Sequence, residues 1–333
     1  MTRTDGRNAK SVSRETRQKI RNKKANLLIT LSGQLILAVL VILSTLSELQ
    51  AKDSTPCSWN QKNRGFEGQS PAKVCLFFDD GYYSVYYYAY PILKKHRLPA
   101  TLGLVASKVQ KPNTRKNFLH HLRFGFLNRN EVSEMIDSLG VEVASHSVTH
   151  RRLTEISDTM DLRYELFYSK QVLESLFQQE VITFVYPYGK YDDRILRLTQ
   201  AAGYKIGRTT EFGEPNFWVA PLKVPIKEVR NTTTLDEIIT HIKRFDITVL
   251  LFHRILEKPS LFTEFSVSRF DSLLTLLDSL KVKVMTLRGL YEEWRREVFA
   301  KAVIERGILD RKNWSDYLFQ KVDIDQTRTS TRF

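Results

Sequence analysis

KVCLFFDDGYY, residues 73–83, is a short apolar run that ends abruptly in two carboxylates and a glycine. An apolar run of this length is typical of a strand buried on both faces, as found in parallel sheets covered by helices. In such folds the chemistry gathers where the strands end at their carboxyl termini. The stretch therefore predicts an α/β fold in which Asp79 and Asp80 lie at the functional edge of a central sheet.

Further apolar runs follow along the chain, separated by segments with helical signals. Together with the first they predict strands at 73–78, 99–105, 141–145, 181–186, 204–207, 247–252 and 282–286. Helices are indicated by an apolar face (Val85, Ala89, Ile92, Leu93), by glycine stops after 130–139 and 192–202 (Gly140, Gly203) and by a capping box opening 234–244 (Thr234, Glu237). Seven strands alternating with helices favour a barrel over a small open sheet.

The amino terminus carries half of the formal charge of +14, with nine Lys or Arg against two acids in residues 1–26. Leu27 to Ser47 then run without a charged residue, and at ~1.5 Å per residue such a helix spans about 30 Å, the thickness of a bilayer core. A basic head before an apolar span predicts a single-pass cell-membrane anchor, with a cytoplasmic amino terminus and an extracytoplasmic remainder. A cleaved signal peptide and a buried core helix are the alternatives.

Composition and pattern divide the rest of the chain into a polar linker at 48–70, a large α/β domain at 71–295 and a tail at 296–333. The tail begins with a helical pattern and ends in polar residues. Cys57 and Cys75 are the two cysteines of the chain. They could form a disulfide outside the cytoplasm, but Cys75 lies in a predicted buried strand, where a free thiol packs as a small hydrophobe.

Polar clusters follow the other predicted strands: SHSVTH (145–150), YPYG (186–189) and LLFHR (250–254). His146 and His150 are four residues apart, and with an aspartate they make a common ligand shell for zinc or a similar divalent ion. His253 supplies an imidazole, the side chain that most often serves as a general acid. Each motif alone is more often a turn or a solvated surface, but their order at successive strand ends favours a catalytic metal site.

The series FFDDG, HSVTH, YPYG and LLFH resembles the polysaccharide deacetylase, or NodB-homology, family of carbohydrate esterases, from about residue 73 to 291. The resemblance implies a distorted (β/α)7-type barrel that removes acetyl groups from an N-acetylhexosamine polysaccharide. It implies that metal-activated water attacks the acetyl carbonyl, with poly-N-acetylglucosamine-like exopolysaccharide as the favoured substrate. The implied roles are Asp79 as base, His253 as acid, Asp80, His146 and His150 as ligands of a divalent metal, usually zinc, and Tyr188, beside Pro187, as the backbone donor to the oxyanion.

Departures from the family pattern leave specific questions. Phe77 replaces the usual threonine, and Val185 stands where the family places an arginine that orients the base. Arg208 and Arg254 are the candidates to replace that arginine. The family's Asp-Trp motif was not found.

Other functional classes fit the sequence less well than the deacetylase. A non-catalytic glycan-binding or scaffold protein of the same fold remains the alternative. Nucleic-acid binding is disfavoured, because the basic charge precedes a membrane span and suits anionic lipid. A metalloprotease is disfavoured because HSVTH lacks the glutamate of HExxH. The expected partners are therefore a polysaccharide and, through the anchor, membrane lipid.

Overall fold

The structure, a computed structural model, describes residues 72–109 and 117–306 of the chain. The predicted basic head at 1–26, anchor at 27–47 and linker at 48–70 lie outside the described residues, as do Cys57 and the tail beyond 306. Within the described ranges, no helix combines the length and the apolar character needed to cross a membrane.

A closed parallel sheet forms the centre of the described chain. Its strands are β1 (Lys73–Phe78), β2 (Thr101–Leu104), β3 (Glu142–Ser145), β4 (Thr183–Val185), β5 (Ile206–Phe212), β6 (Val224–Glu228) and β7 (Ile247–Phe252). They pair in sequence order, and β7 pairs with β1 from Lys73↔Ile247 to Phe78↔Phe252, which closes a seven-stranded barrel. After β7 come a small parallel pair, β8 (Arg254–Leu256) with β9 (Glu264–Ser266), and a two-residue strand, β10 (Lys283–Val284), beside the start of β1.

Helices surround the sheet. They are α1 (Tyr90–His96), α2 (Ala106–Val109), α3 (Phe118–Phe124), α4 (Arg129–Leu139), α5 (Thr159–Arg163), α6 (Ser169–Phe177), α7 (Asp193–Ala201), α8 (Leu235–Arg244), α9 (Val267–Ser279) and α10 (Leu287–Arg306). One-turn π-helical segments, Val85–Ala89 and Tyr164–Tyr168, lead into α1 and α6, and 3₁₀ turns occur at Leu153–Glu155 and Pro187–Gly189.

The alternation of side chains along β1 decides what enters the barrel. Val74, Leu76 and Phe78 point outward into the core shared with the helices, whereas Cys75 and Phe77 join the cluster inside the barrel. Successive strand residues face opposite sides, so the residue two beyond Phe77 also faces inward. That inward residue is Asp79, and it is buried.

The amino-terminal end of the barrel is filled by α10. Leu287 and Tyr291 join the apolar cluster inside the barrel. The Arg288 backbone N–H donates to Glu142 Oε2 at 2.8 Å, at the start of β3. The opposite end, where the strands finish, carries the polar clusters singled out in the sequence.

The predicted strands at 73–78 and 247–252 are confirmed residue for residue, and the barrel of seven parallel strands is confirmed. The prediction of which segments form the barrel strands was partly wrong. The predicted strand at 282–286 contributes only β10. The sixth strand of the barrel, VPIKE at 224–228, is absent from the prediction because Pro225 interrupts its apolar pattern.

The structure confirms two predicted helix boundaries and shows the state of Cys75. Gly140 caps α4 with a left-handed φ of +63°, and Thr234 forms the predicted capping box. Cys75 is a buried free thiol whose Sγ lies 3.5 Å from Thr101 Oγ1, so a disulfide is not the state observed.

Candidate active site

Asp79 at the end of β1 forms a buried ion pair with Arg208. The guanidinium Nη2 of Arg208 donates to both carboxylate oxygens, and the arginine side chain is fully buried. Its Nη1 donates to the Thr209 carbonyl at 3.1 Å, and its guanidinium lies 5.0 Å from the centroid of the Phe77 ring. Two charge-assisted hydrogen bonds from one guanidinium nitrogen fix the position of the carboxylate and favour its ionised form.

Of the two candidates to replace the arginine absent at Val185, Arg208 is the one that contacts Asp79. Val185 on β4 and Arg208 on β5 are cross-strand partners in the sheet register. The guanidinium therefore enters at the same level of the barrel from the neighbouring strand. Arg254, the other candidate, instead lies 3.7 Å from the centroid of the Tyr82 ring.

The pKa of Asp79 reflects two opposed effects. Burial raises it, but the charge and the hydrogen bonds of Arg208 outweigh burial and hold the pKa below its usual value. Asp79 is thus an ionised carboxylate in a dry setting. Gly103 on β2 leaves the room it needs, because a Cβ there would stand 3.0 Å from Asp79 Oδ1.

Asp80, His146 and His150 bring their ligand atoms together beside this pair. His146 Nε2 and His150 Nε2 lie 3.6 Å and 3.4 Å from Asp80 Oδ1, and the two nitrogens are 3.0 Å apart. Asp80 and Gly81 have left-handed φ values of +68° and +70°, so the chain turns sharply and directs Asp80 to the same site as Asp79. The three residues form a group that could hold a metal ion.

The surroundings of the histidines suit metal binding. His146 Nδ1 donates to the Val185 carbonyl at 2.9 Å, which leaves Nε2 with its lone pair directed at the cluster. Burial lowers the pKa of His146, and burial together with His146 lowers the pKa of His150 to about 4. Neutral imidazoles with converging lone pairs and one carboxylate oxygen are a donor set that fits zinc or a similar divalent ion.

Glu165 was not predicted from sequence, yet it fixes the loop that carries His150. Its carboxylate accepts the backbone N–H groups of Val148 and Thr149 at 2.9 Å each, and the Thr149 hydroxyl. His150 itself has a φ of +64°, and its N–H donates to Ser147 Oγ at 2.9 Å. These contacts hold a tight loop in a conformation that a non-glycine residue rarely adopts.

The remaining predicted residues lie at the same edge. His253 directly follows β7, and within the described residues its Nδ1 is buried without a hydrogen-bond partner. Tyr188 has a left-handed φ of +59°, and its half-exposed ring lies 4.8 Å from the His150 ring. Pro187 beside it is buried. The structure thus places all seven predicted site residues at the carboxyl end of the barrel.

Comparison with known proteins finds similarity to polysaccharide deacetylases. The family model described as Polysaccharide deacetylase matches residues 67–207. The poly-beta-1,6-N-acetyl-D-glucosamine N-deacetylase of Staphylococcus aureus (strain MSSA476) is 30% identical over 156 residues, 44% of this chain and 50% of that protein. YxkH of Bacillus subtilis (strain 168), provisionally named a polysaccharide deacetylase, is 29% identical over 149 residues, 44% of this chain and 48% of that protein.

Among solved structures, the Streptococcus pyogenes deacetylase PplD in complex with acetate matches with 24% identity and a TM-score of 0.44, covering 50% of this chain and 69% of that one. The chain spans about half the length of the curated relatives that it matches. Residues 67–207 are therefore similar to polysaccharide deacetylase domains. Enzymes of this family are hydrolases that act on amide C–N bonds.

Proposed function

We propose that the chain is a metal-dependent deacetylase that removes acetyl groups from N-acetylated sugars of a polysaccharide. One observation carries the proposal: the buried Asp79–Arg208 pair lies directly beside the converging ligand atoms of Asp80, His146 and His150. A carboxylate held ionised next to a cation site supplies both a general base and an electrophile for the hydrolysis of an amide.

In the proposed mechanism, Asp80, His146 and His150 would hold a divalent cation, with zinc favoured by two imidazoles and one carboxylate. Such a cation would lower the pKa of water and polarise the acetyl carbonyl. Asp79 accepts the proton of the attacking water, while Arg208 keeps its carboxylate oriented. His253 donates a proton to the amine nitrogen as the C–N bond breaks, so that one acetate and one free amine form.

The oxyanion that develops on the acetyl carbonyl needs a fixed donor. Tyr188 is the residue proposed for this role through its backbone N–H, with buried Pro187 fixing the turn that precedes it. The left-handed φ of Tyr188 supports the assignment, since strained backbone is retained where surrounding structure demands it.

Poly-N-acetylglucosamine is the proposed substrate, and the support comes from the names of the Staphylococcus aureus relatives. The experiment is acetate release by the full chain from β-1,6-linked and β-1,4-linked N-acetylglucosamine oligomers and from acetylated xylan. Preference for the β-1,6-linked oligomer is expected. Turnover of a β-1,4-linked oligomer alone would reassign the substrate, and a lack of acetate from every glycan would reject the function.

The proposed location is the outer side of a cell membrane, held by the uncharged run at 27–47 behind the basic head at 1–26. Fractionation of cells that express the full chain should place it with membranes. Protease added to intact protoplasts should remove the catalytic domain, whereas a protected domain would contradict the proposed orientation.

A further inference from the structure

A single buried carboxylate, that of Glu165, joins the loop of the proposed metal ligands to a neighbouring helix. Glu165 is only 1% exposed. Its Oε2 accepts the backbone N–H groups of Val148 and Thr149, and its Oε1 accepts the Thr149 hydroxyl. These donors lie between His146 and His150 in the sequence, so the carboxylate holds the segment that joins the two imidazoles.

The loop needs such a restraint, because its backbone is strained. Ser147 and His150 have left-handed φ values of +62° and +64°. Residues with a Cβ adopt this region rarely, and they retain it only where the surroundings fix it. The hydrogen bond from the His150 N–H to Ser147 Oγ acts within the loop, whereas Glu165 holds the loop from outside. Without Glu165 we expect the loop to relax and the His150 imidazole to leave its place beside His146.

Glu165 is itself held firmly, because it lies in the π-helical turn Tyr164–Tyr168 between α5 and α6. Ser169 Oγ donates to the Glu165 carbonyl at 2.7 Å. The Tyr204 hydroxyl donates to the Leu166 carbonyl at 3.0 Å. Such turns inside α-helices are rare and occur frequently at functional sites. These bonds fix the point from which the Glu165 side chain reaches the loop.

A second contact ties the same turn to the other histidine. Ser145, the last residue of β3, directly precedes His146 and donates its hydroxyl to Ser169 Oγ at 2.8 Å. Both serines are fully buried. The π-helical turn therefore meets the ligand segment at two points, one ahead of each histidine. A segment fixed at both points keeps its imidazoles in place before a metal ion arrives.

This arrangement bears on metal affinity, an inference that rests on the proposed function. Ligands that are already in place lose less conformational freedom when an ion binds, so preorganisation strengthens binding. We propose that Glu165 is a positioning residue that keeps the His146–His150 loop in its metal-binding form and thereby sets the affinity of the site for a divalent cation. The hydrogen bonds of Glu165 perform this role, and its negative charge does not.

Two conservative variants separate the hydrogen bonds from the charge. In Glu165→Asp the charge stays, but the carboxylate is one methylene too short to reach the loop from the fixed turn. In Glu165→Gln the charge is lost, but the amide oxygen can accept both N–H groups while its NH2 donates to the Thr149 hydroxyl. Zinc affinity is measured on the full chain by competition with a chelating dye, and Tm measures stability.

Glu165→Asp should weaken zinc binding roughly 10- to 100-fold, the usual effect of losing a group that orients metal ligands. Glu165→Gln should bind zinc as tightly as the parent. Glu264→Asp is the matched control, because buried Glu264 likewise accepts the backbone N–H groups of Ser260 and Leu261, at 2.6 and 2.9 Å. This control should lower Tm without changing zinc affinity.

Three results would overturn the proposal. They are parent affinity in Glu165→Asp, zinc binding by Glu165→Gln as weak as that by Glu165→Asp, and an equal weakening in Glu264→Asp, which would reflect a general loss of stability. Failure of the proposed function is distinct, because the zinc titration contains no glycan. A parent that binds zinc but releases no acetate would reject the function, while the contrast between the two Glu165 variants would still establish the positioning role.

Discussion

Arg208→Met tests the buried ion pair on which the candidate site depends. Methionine has a similar length but leaves the buried carboxylate of Asp79 without its partner. Removing one member of a buried, hydrogen-bonded ion pair costs about 3–5 kcal/mol of stability. For a domain of this size a loss of 1 kcal/mol lowers Tm by about 2–4 °C, so Tm should fall by roughly 6–20 °C.

The same change should remove the active base. Without Arg208, burial is the largest influence left on Asp79, so its pKa rises and the carboxylate takes up a proton. We expect kcat/KM to fall roughly 10²- to 10⁴-fold, the usual contribution of a positioned general base. Thermal unfolding and acetate release measure the two effects separately.

Two further variants make the test decisive. Asp79→Asn/Arg208→Met removes both charges and should recover most of the lost Tm, because the burial of an unpaired charge is then relieved. Arg254→Met should cost at most about 2 kcal/mol, since it loses chiefly a cation–π contact. An Arg208→Met protein with the Tm and the kcat/KM of the parent would refute the role given to the pair.

Gly189 and Gly140 both have a positive φ, +66° and +63°. In Gly189→Ala the added Cβ would clash with the Thr210 side chain, whereas in Gly140→Ala it would have no heavy atom within 4 Å. Both variants should lose ~1–2 kcal/mol of unfolding free energy, because alanine is strained in the left-handed region. Denaturant unfolding should show a larger loss for Gly189→Ala than for Gly140→Ala, and equal losses would contradict the clash. Glu264→Gln breaks a bidentate pair with Arg123 (3.0 and 2.7 Å), which lowers the Glu264 pKa against the effect of burial. The pair stabilises the fold fully above the unfolded pKa of Glu264, about 4.3, and its contribution is lost as pH falls through the lower folded pKa. Glu264→Gln should therefore lower the free energy of unfolding by about 1–3 kcal/mol at pH 7 and by less below pH 4. A loss of stability that does not depend on pH would contradict this.

Local sequence patterns predict much of the fold. Strands β1 and β7 are unbroken apolar runs, and their bounds agree with the sequence prediction. Strand β6 carries Pro225 and is partly exposed, so neither an apolar run nor a strict alternation marks it. The π-helical turn at Val85–Ala89 has the apolar face predicted for a helix, and a pattern of faces does not separate the two helix types.

The sequence likewise predicts some residues of the candidate site and not others. Asp79, His146 and His253 could be predicted because each follows an apolar strand directly. Arg208 was only one of two candidates, since its partner lies 129 residues away in the sequence and only the sheet register joins them. Glu165 acts through backbone N–H groups, which leave no mark in the order of side chains.

The most direct test of the central claim pairs metal content with acetate release in the parent, Asp79→Asn and His150→Ala. The proteins would be loaded with zinc, dialysed and assayed on a β-1,6-linked N-acetylglucosamine oligomer. The account predicts metal and turnover in the parent, metal without turnover in Asp79→Asn, and a loss of both in His150→Ala. Turnover by Asp79→Asn, or unchanged metal content in His150→Ala, would contradict it.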